Sequence, residues 1–150
     1  AIPLLEETLE ARTRILGPNH PDALITRNNL AIAYREAGRL NDAIPLLEET
    51  FTTQEELLGP NHPDVLGSRN NLALAYYAAG RLNDAIPLLE ETLEARTRIL
   101  GPDHPGTLRS RNNLANAYQE AGRINNAIPL FKEILEARAR ILGTDHSGSD

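Results

Sequence analysis

The chain contains no cysteine, no methionine and no tryptophan, and its only aromatic rings are four tyrosines and two phenylalanines in 150 residues. Without cysteine there is no disulfide, no thiolate nucleophile and no zinc site that relies on sulfur. Positive charge is also short: fifteen Lys and Arg stand against twenty-one Asp and Glu, giving a net charge of −6 and a pI near 5.2. Such a chain repels polyanions, so neither nucleic acid nor an anionic membrane surface is expected as a partner. No stretch of eighteen apolar residues occurs and no charged-then-apolar leader precedes the domain, so the expectation is a soluble, cytoplasmic protein. What remains to build a core is Leu, Ile and Ala.

Self-comparison reveals a period of 42. The segment AIPLLEET at Ala1 to Thr8 recurs unchanged at Ala43 to Thr50 and Ala85 to Thr92, then as AIPLFKEI from Ala127. Residues 1–42 differ from 85–126 at nine positions and from 43–84 at thirteen. Copies this similar imply one supersecondary unit stacked on itself, each copy burying the face its neighbour exposes. The reading is an array over 1–143, starting and ending on the same kind of helix, with a frayed tail at 144–150. Because it begins without Met and in mid-unit, the chain reads as cut from a longer array.

Two helices fit one period. Helix A is predicted over about Asp22 to Ala37, with Pro21 and Asp22 as stop and N-cap, Leu24, Leu30, Ala31 and Tyr34 near one face, and Gly38 just past its end. Helix B is predicted over about Asn41 to Leu58, with Asn41 as N-cap and Ile44, Leu47, Phe51 and Leu58 on its apolar face. Pro45 falls in its first turn, where a missing N–H costs little. The link Leu-Gly-Pro-Asx-His-Pro joins B to the next A. The order is B-A-B-A-B-A-B, an all-α architecture of antiparallel helix pairs.

The run Asn28-Asn29-Leu30-Ala31-Ile32-Ala33-Tyr34, followed by Ala37-Gly38-Arg39 and by Ala43 and Leu47, resembles a tetratricopeptide repeat. The match recurs at Leu72, Ala73, Tyr76, Ala85, Leu89 and at Leu114, Ala115, Tyr118, Ala127, Phe131. Two features depart from the common pattern: Arg27, Arg69 and Arg111 stand where that family places a Trp-like residue, and the period is 42 rather than 34. The longer unit resembles the subtype of kinesin light chains and of bacterial STAND-type regulatory ATPases. The resemblance implies a right-handed α-solenoid whose A helices line a concave groove for protein or peptide partners. It implies neither motor activity nor ATP hydrolysis.

With Leu30, Ala31, Tyr34 and the stem of Arg27 on the core face, the opposite face of helix A carries Ile25, Asn28, Asn29, Ile32, Arg35 and Glu36. Its counterparts are Gly67, Asn70, Asn71, Leu74, Tyr77 and Ala78, then Arg109, Asn112, Asn113, Asn116, Gln119 and Glu120. These positions differ between copies, as expected if stacking is generic and the groove individual. The Asn pairs are the exception. Rows of carboxamides one repeat apart suit the backbone of an extended peptide, while one Asn of each pair tying neighbouring helices is the alternative. Asn29, Asn71 and Asn113 are favoured for the ligand.

Arg27, Arg69 and Arg111 are expected to pair with a Glu of helix B, because a core-facing guanidinium must find a carboxylate or snorkel. Glu10 with Arg14, Glu94 with Arg98 and Glu136 with Arg140 are i,i+4 pairs. In the second copy Phe51-Thr-Thr-Gln-Glu-Glu56 breaks the pattern and gathers Glu48, Glu49, Glu55 and Glu56, either a solvated face or a secondary dock for a basic partner. His20, His62, His104 and His146 occur one per link and are expected to be too far apart to share a metal, which leaves a hydrogen-bonding role in the loops. No HExxH, phosphate-binding Gly-rich loop or Gly-x-Ser-x-Gly is present, so no enzyme, metal or cofactor is expected. The expectation is a binding scaffold, with a self-associating spacer as the alternative, forming a homo-oligomer through uncapped terminal helices.

Overall fold

The structure, a computed structural model, describes residues 1–148, with side chains through residue 143. The described residues form seven helices and no strand: α1 (Ile2–Leu16), α2 (Pro21–Glu36), α3 (Leu40–Leu58), α4 (Pro63–Ala78), α5 (Leu82–Leu100), α6 (Pro105–Glu120) and α7 (Ile124–Gly148). They fall into two compact units, Ala1–Arg81 with α1 to α4 and Leu82–Asp150 with α5 to α7. Within each unit every helix packs on the one that follows it. The B-A-B-A-B-A-B order is met. The tail expected to fray from 144 lies outside the residues whose side chains are described.

Each A helix starts one residue earlier than predicted, because the capping residue is the link histidine and not Asp22. Nδ1 of His20, His62 and His104 accepts the backbone N–H of Asp22, Asp64 and Gly106 at 3.1, 3.1 and 3.0 Å. The following Pro occupies the first helical position, where its lacking N–H is harmless. A side-chain acceptor here is worth about 0.5–2 kcal/mol. The helices end on a left-handed glycine: Gly38 has φ 78, its N–H donates to the Arg35 carbonyl, and Arg39 N–H donates to the Tyr34 carbonyl at 2.8 Å. That Schellman turn folds the Arg39 side chain back over the Tyr34 ring, 4.5 Å from its centroid, a cation–π contact in place of the usual apolar one. Arg81 on Tyr76 and Arg123 on Tyr118 repeat it at 4.5 and 4.6 Å.

Helix B also begins early. Leu40 is its first residue and Arg39 its N-cap, so Asn41 is already helical and Pro45 lies in the second turn rather than the first. The carbonyl that Pro45 cannot satisfy is that of Asn41, an exposed residue whose oxygen water can reach.

Small residues set the helix spacing. Ala31, Ala43, Ala73, Ala85 and Ala115 are fully buried, allowing close backbone approach. In the first unit Leu30, Tyr34 and Ala43 form a cluster against Ile2, Leu5, Leu9 and Leu46. Leu47 and Leu89, at 1% exposure each, are the largest fully buried side chains. Thr50 and Thr92, buried beside them, return their hydroxyls to the carbonyls of Leu46 and Leu88 at 2.7 and 2.8 Å, so neither hydroxyl is stranded. Phe51 is only half-buried and Leu58 is 43% exposed, contrary to the predicted apolar face. Helix B has nineteen residues against sixteen in helix A, and its last turn, with Leu57 and Leu58 in α3 and Ile99 and Leu100 in α5, stays exposed.

Candidate partner-binding site

The outer faces of α2 and α4 in the first unit, and of α6 in the second, carry the positions at which the copies differ. On these outer faces none is buried: Ile25 and Arg109 are exposed, while Ile32, Arg35, Leu74, Tyr77 and Asn116 are half-buried; the copies also differ on the buried side, at Ala23, Val65 and Thr107 and at Thr26, Ser68 and Ser110. In the first unit Asn28 and Asn29 lie on α2 and Asn70 and Asn71 on α4, two helices that touch. The carboxamide oxygens of Asn28 and Asn70 are enclosed and accept no hydrogen bond. Asn29 is exposed and Asn71 half-buried. In the second unit α6 places Asn112, Asn113 and Asn116 half-buried and Gln119 exposed.

Beneath these faces lies a repeated polar frame that sequence reasoning missed. The Tyr34 hydroxyl donates to Glu6 at 2.7 Å, Tyr76 to Glu48 at 2.7 Å, and Tyr118 to Glu90 at 2.5 Å. The hydrogen bond to Glu6, with burial second, raises the Tyr34 phenol above its usual range. Burial and the bond to Glu90 push Tyr118 up to about 12. The tyrosines were read as apolar packing, yet a Glu 28 residues before each Tyr in every copy was a visible signal.

A second link joins helix B to the start of the next helix A across fourteen residues. Arg12 Nη1 donates to Thr26 Oγ1 at 2.5 Å, Arg96 Nη1 to Ser110 Oγ at 2.6 Å, and in the second copy Ser68 donates to Gln54. Each end changes without the other, Thr to Ser opposite a constant Arg and Gln to Arg opposite a constant Ser, and the link survives because every combination still pairs a donor with an acceptor.

The core-facing arginines meet their expectation unevenly. Arg69 pairs with Glu55 of the preceding helix B at 3.5 Å, and Arg111 with Glu133 of the following one at 3.3 Å. Arg27 instead donates to the Pro18 carbonyl at 3.2 Å. Of the three i,i+4 pairs, Glu94 and Arg98 stand 3.9 Å apart. Arg140 reaches Asp103 in the link at 2.7 Å, and this bond holds the Asp103 carboxyl below its ordinary range. Among the described residues no three His, Asp or Glu side chains gather as metal ligands would, and no helix is long and apolar enough to cross a membrane.

Comparison with known families places this frame. The tetratricopeptide repeat model matches residues 1–56, 38–97 and 64–140. The chain belongs to the tetratricopeptide repeat family. Its repeats are 42 residues long, and a solved structure from Podosopora anserina, of kinesin-light-chain type with nearly identical TPR-like repeats, is 33% identical with a TM-score of 0.87, covering 93% of this chain and 66% of that one. BtubC (BKLC) from P. vanneervenii, at 22% identity and TM-score 0.83, covers 95% of this chain and 57% of its own. MamA of AMB-1, at 24% and 0.64, covers 91% and 66%. These last two speak for the fold alone. The chain spans less than two thirds of the length of each of these structures. None of the curated proteins matches it. Tetratricopeptide repeats are in general protein-interaction scaffolds without catalysis of their own.

Proposed function

We propose that these repeats hold an extended or helical segment of a partner protein against their A helices. The observation that carries the reading is a coincidence. At positions 25, 32 and 35 of helix A and their counterparts the three copies carry three different residues, and those positions are left open at the surface; position 23 also differs in every copy, but there Ala23, Val65 and Thr107 exchange one small buried side chain for another. Packing positions such as Ala31, Ala73 and Ala115 are identical and buried. Asn29, Asn71 and Asn113 would grip the partner's backbone through acceptor and donors, since the oxygens of Asn28 and Asn70 are turned into the protein. Ile32, Arg35, Leu74, Tyr77, Arg109, Asn116 and Gln119 would set preference. A peptide-library selection tests this. Asn71→Ala is expected to weaken a selected peptide by about tenfold, the loss of one or two hydrogen bonds, with an unchanged melting curve. Equal affinity in titration calorimetry sinks the assignment of Asn71.

A second reading, self-association through the terminal helices, is favoured by α1, which has no fully buried residue, and by Leu4, exposed at 68%. Light scattering across a concentration series separates the two, because a strict monomer leaves only the groove.

A further inference from the structure

The first turn of helix A differs in charge from copy to copy. Positions four and seven residues apart on a helix share a face, so Gly106, Arg109, Ser110 and Asn113 form one stripe on α6. Arg96 reaches this stripe from α5, held by its 2.6 Å bond to the buried Ser110. In the first copy the same stripe carries Asp22 and Ile25, and Arg12 lies along it, donating to Thr26 and to the Asp22 carbonyl at 3.4 Å. That stripe holds one carboxylate, Asp22, and one guanidinium, Arg12, although the contact between the two residues is to the Asp22 backbone. In the second copy the residues are Gln54, Asp64 and Gly67, which leaves a lone negative charge. In the third, Asp is replaced by Gly106 and Ile by Arg109, so two guanidiniums stand over a helix start whose first turn has no acidic residue.

Neither Arg96 nor Arg109 has a carboxylate partner among the described residues. Arg96 is half-buried and Arg109 exposed. Burial, and after it the repulsion of Arg109, pulls the Arg96 guanidinium below its ordinary range, with no carboxylate offsetting either. A half-buried guanidinium with a second, exposed one close enough to repel it has an unfavourable energy that an anion relieves, and the positive end of the helix dipole adds to it.

We propose that Arg96, Arg109 and Asn113 form a phosphoryl-binding site, taking a phosphoserine or phosphothreonine on the partner segment laid along α6. Two uncompensated guanidiniums match a dianion, whereas a single side-chain carboxylate leaves one of them unanswered. Guanidinium forks supply paired donors to phosphate oxygens, and the Asn113 amide adds a neutral donor one turn further on. The partner in this inference rests on the groove reading, but the site can be tested without any peptide.

The test is a titration of the whole chain, isotopically labelled, with inorganic phosphate and with acetate at matched ionic strength, followed by backbone amide shifts. Phosphate is expected to give saturable shifts at Leu108 to Asn113 and none at the corresponding residues of the first two copies, with acetate at least about tenfold weaker. The other copies supply variants already compatible with the fold: Arg96→Gln as at Gln54, Arg109→Ile as at Ile25, and Gly106→Asp as at Asp22. Each is expected to weaken phosphate by about tenfold or more, with unchanged circular dichroism. Shifts that persist in Gly106→Asp, that appear equally in the first copy, or that acetate reproduces at the same concentration overturn the site. A phosphate response together with a failed peptide selection overturns the groove reading alone; a selected peptide with no phosphate response overturns this site alone.

Discussion

Helices α3 and α5 are identical for eleven residues and differ at each of the next seven, ending on the same Leu. Both open with Leu-Asn-Asp-Ala-Ile-Pro-Leu-Leu-Glu-Glu-Thr, and then Phe-Thr-Thr-Gln-Glu-Glu-Leu-Leu in one stands where Leu-Glu-Ala-Arg-Thr-Arg-Ile-Leu stands in the other. In the shared half, Ala43 and Ala85, Ile44 and Ile86, Leu47 and Leu89, Thr50 and Thr92 are buried alike. In the divergent half each helix builds a different polar connection to the helix A that follows: Gln54 with Ser68 and Glu55 with Arg69 in one, Arg96 with Ser110 in the other. Packing at close-packed density tolerates little change in volume, whereas a polar link tolerates any pair of groups that can still donate and accept. Between α3 and α5 the buried half is kept and the polar half changes; α7 departs from α5 the other way, at five of its first eleven residues and at one of the next eight.

The largest expected effect tests the shared half. Leu47→Ala and Leu89→Ala should each cost about 2–5 kcal/mol in urea unfolding, since each side chain is enclosed and leaves a cavity. A difference between them of more than about 1 kcal/mol would break the equivalence drawn here between the two buried halves. Next comes the divergent half. Glu55→Thr, which gives α3 the residue of α5 at Thr97, should cost about 1–3 kcal/mol because it strips a carboxylate from the buried Arg69. Arg69 keeps its bond to the Pro60 carbonyl at 3.3 Å, which keeps the cost below that of a fully orphaned charge.

The tyrosine frame gives a pH-dependent test. The Tyr118 phenol is raised to about 12 in the folded protein from an ordinary value near 10, so the unfolded chain ionises first. Its contribution to stability is whole below pH 10 and is lost as pH rises from there towards about 12. Tyr34, raised in the same direction, adds to the slope. In Tyr118→Phe the decline of unfolding free energy over that window should be shallower; an unchanged slope means that neither burial nor the bond to Glu90 holds this phenol above its ordinary value. The smallest effect is expected at Asp103, which takes the place of the Asn in the first two links. Its carboxyl is depressed by Arg140, so the pair is present above the ordinary carboxylate range and disappears as pH falls through the depressed value. Both groups are solvent-exposed, and Asp103→Asn should leave the melting temperature at pH 7 unchanged while removing this part of the acid dependence.

Most of the fold was legible in the sequence because a copied unit repeats its own signals. Gly38, Gly80 and Gly122 end their helices as the pattern required, and Leu30, Ala31 and Tyr34 take the core face assigned to them. The cap was misplaced by two residues because Asp is the commoner capping side chain, and only the extended backbone at His20 brings its imidazole nitrogen within reach of the Asp22 N–H. The open faces of α2, α4 and α6 were also legible, from divergence between copies. A Glu of helix B as the partner of Arg69 and Arg111 was legible, but not which Glu, nor that Arg27 turns to the Pro18 carbonyl, since a long flexible side chain in a half-polar slot has several acceptors within reach and local geometry chooses among them.

Sequence alone determined the period, the helices and the core face of helix A, because these follow from short-range spacing and from which residues can pack or cap; on helix B it found Ile44 and Leu47 but also named Phe51 and Leu58, which are not buried. Tertiary structure decided what lies across the helix boundaries: Tyr34 with Glu6, Arg111 with Glu133, Arg140 with Asp103, and Arg96 beside Arg109. The last three join residues thirteen to thirty-seven positions apart and the first twenty-eight, distances at which no propensity acts. Such pairings exist only once packed alanines have brought two helices together and fixed how far each side chain must reach.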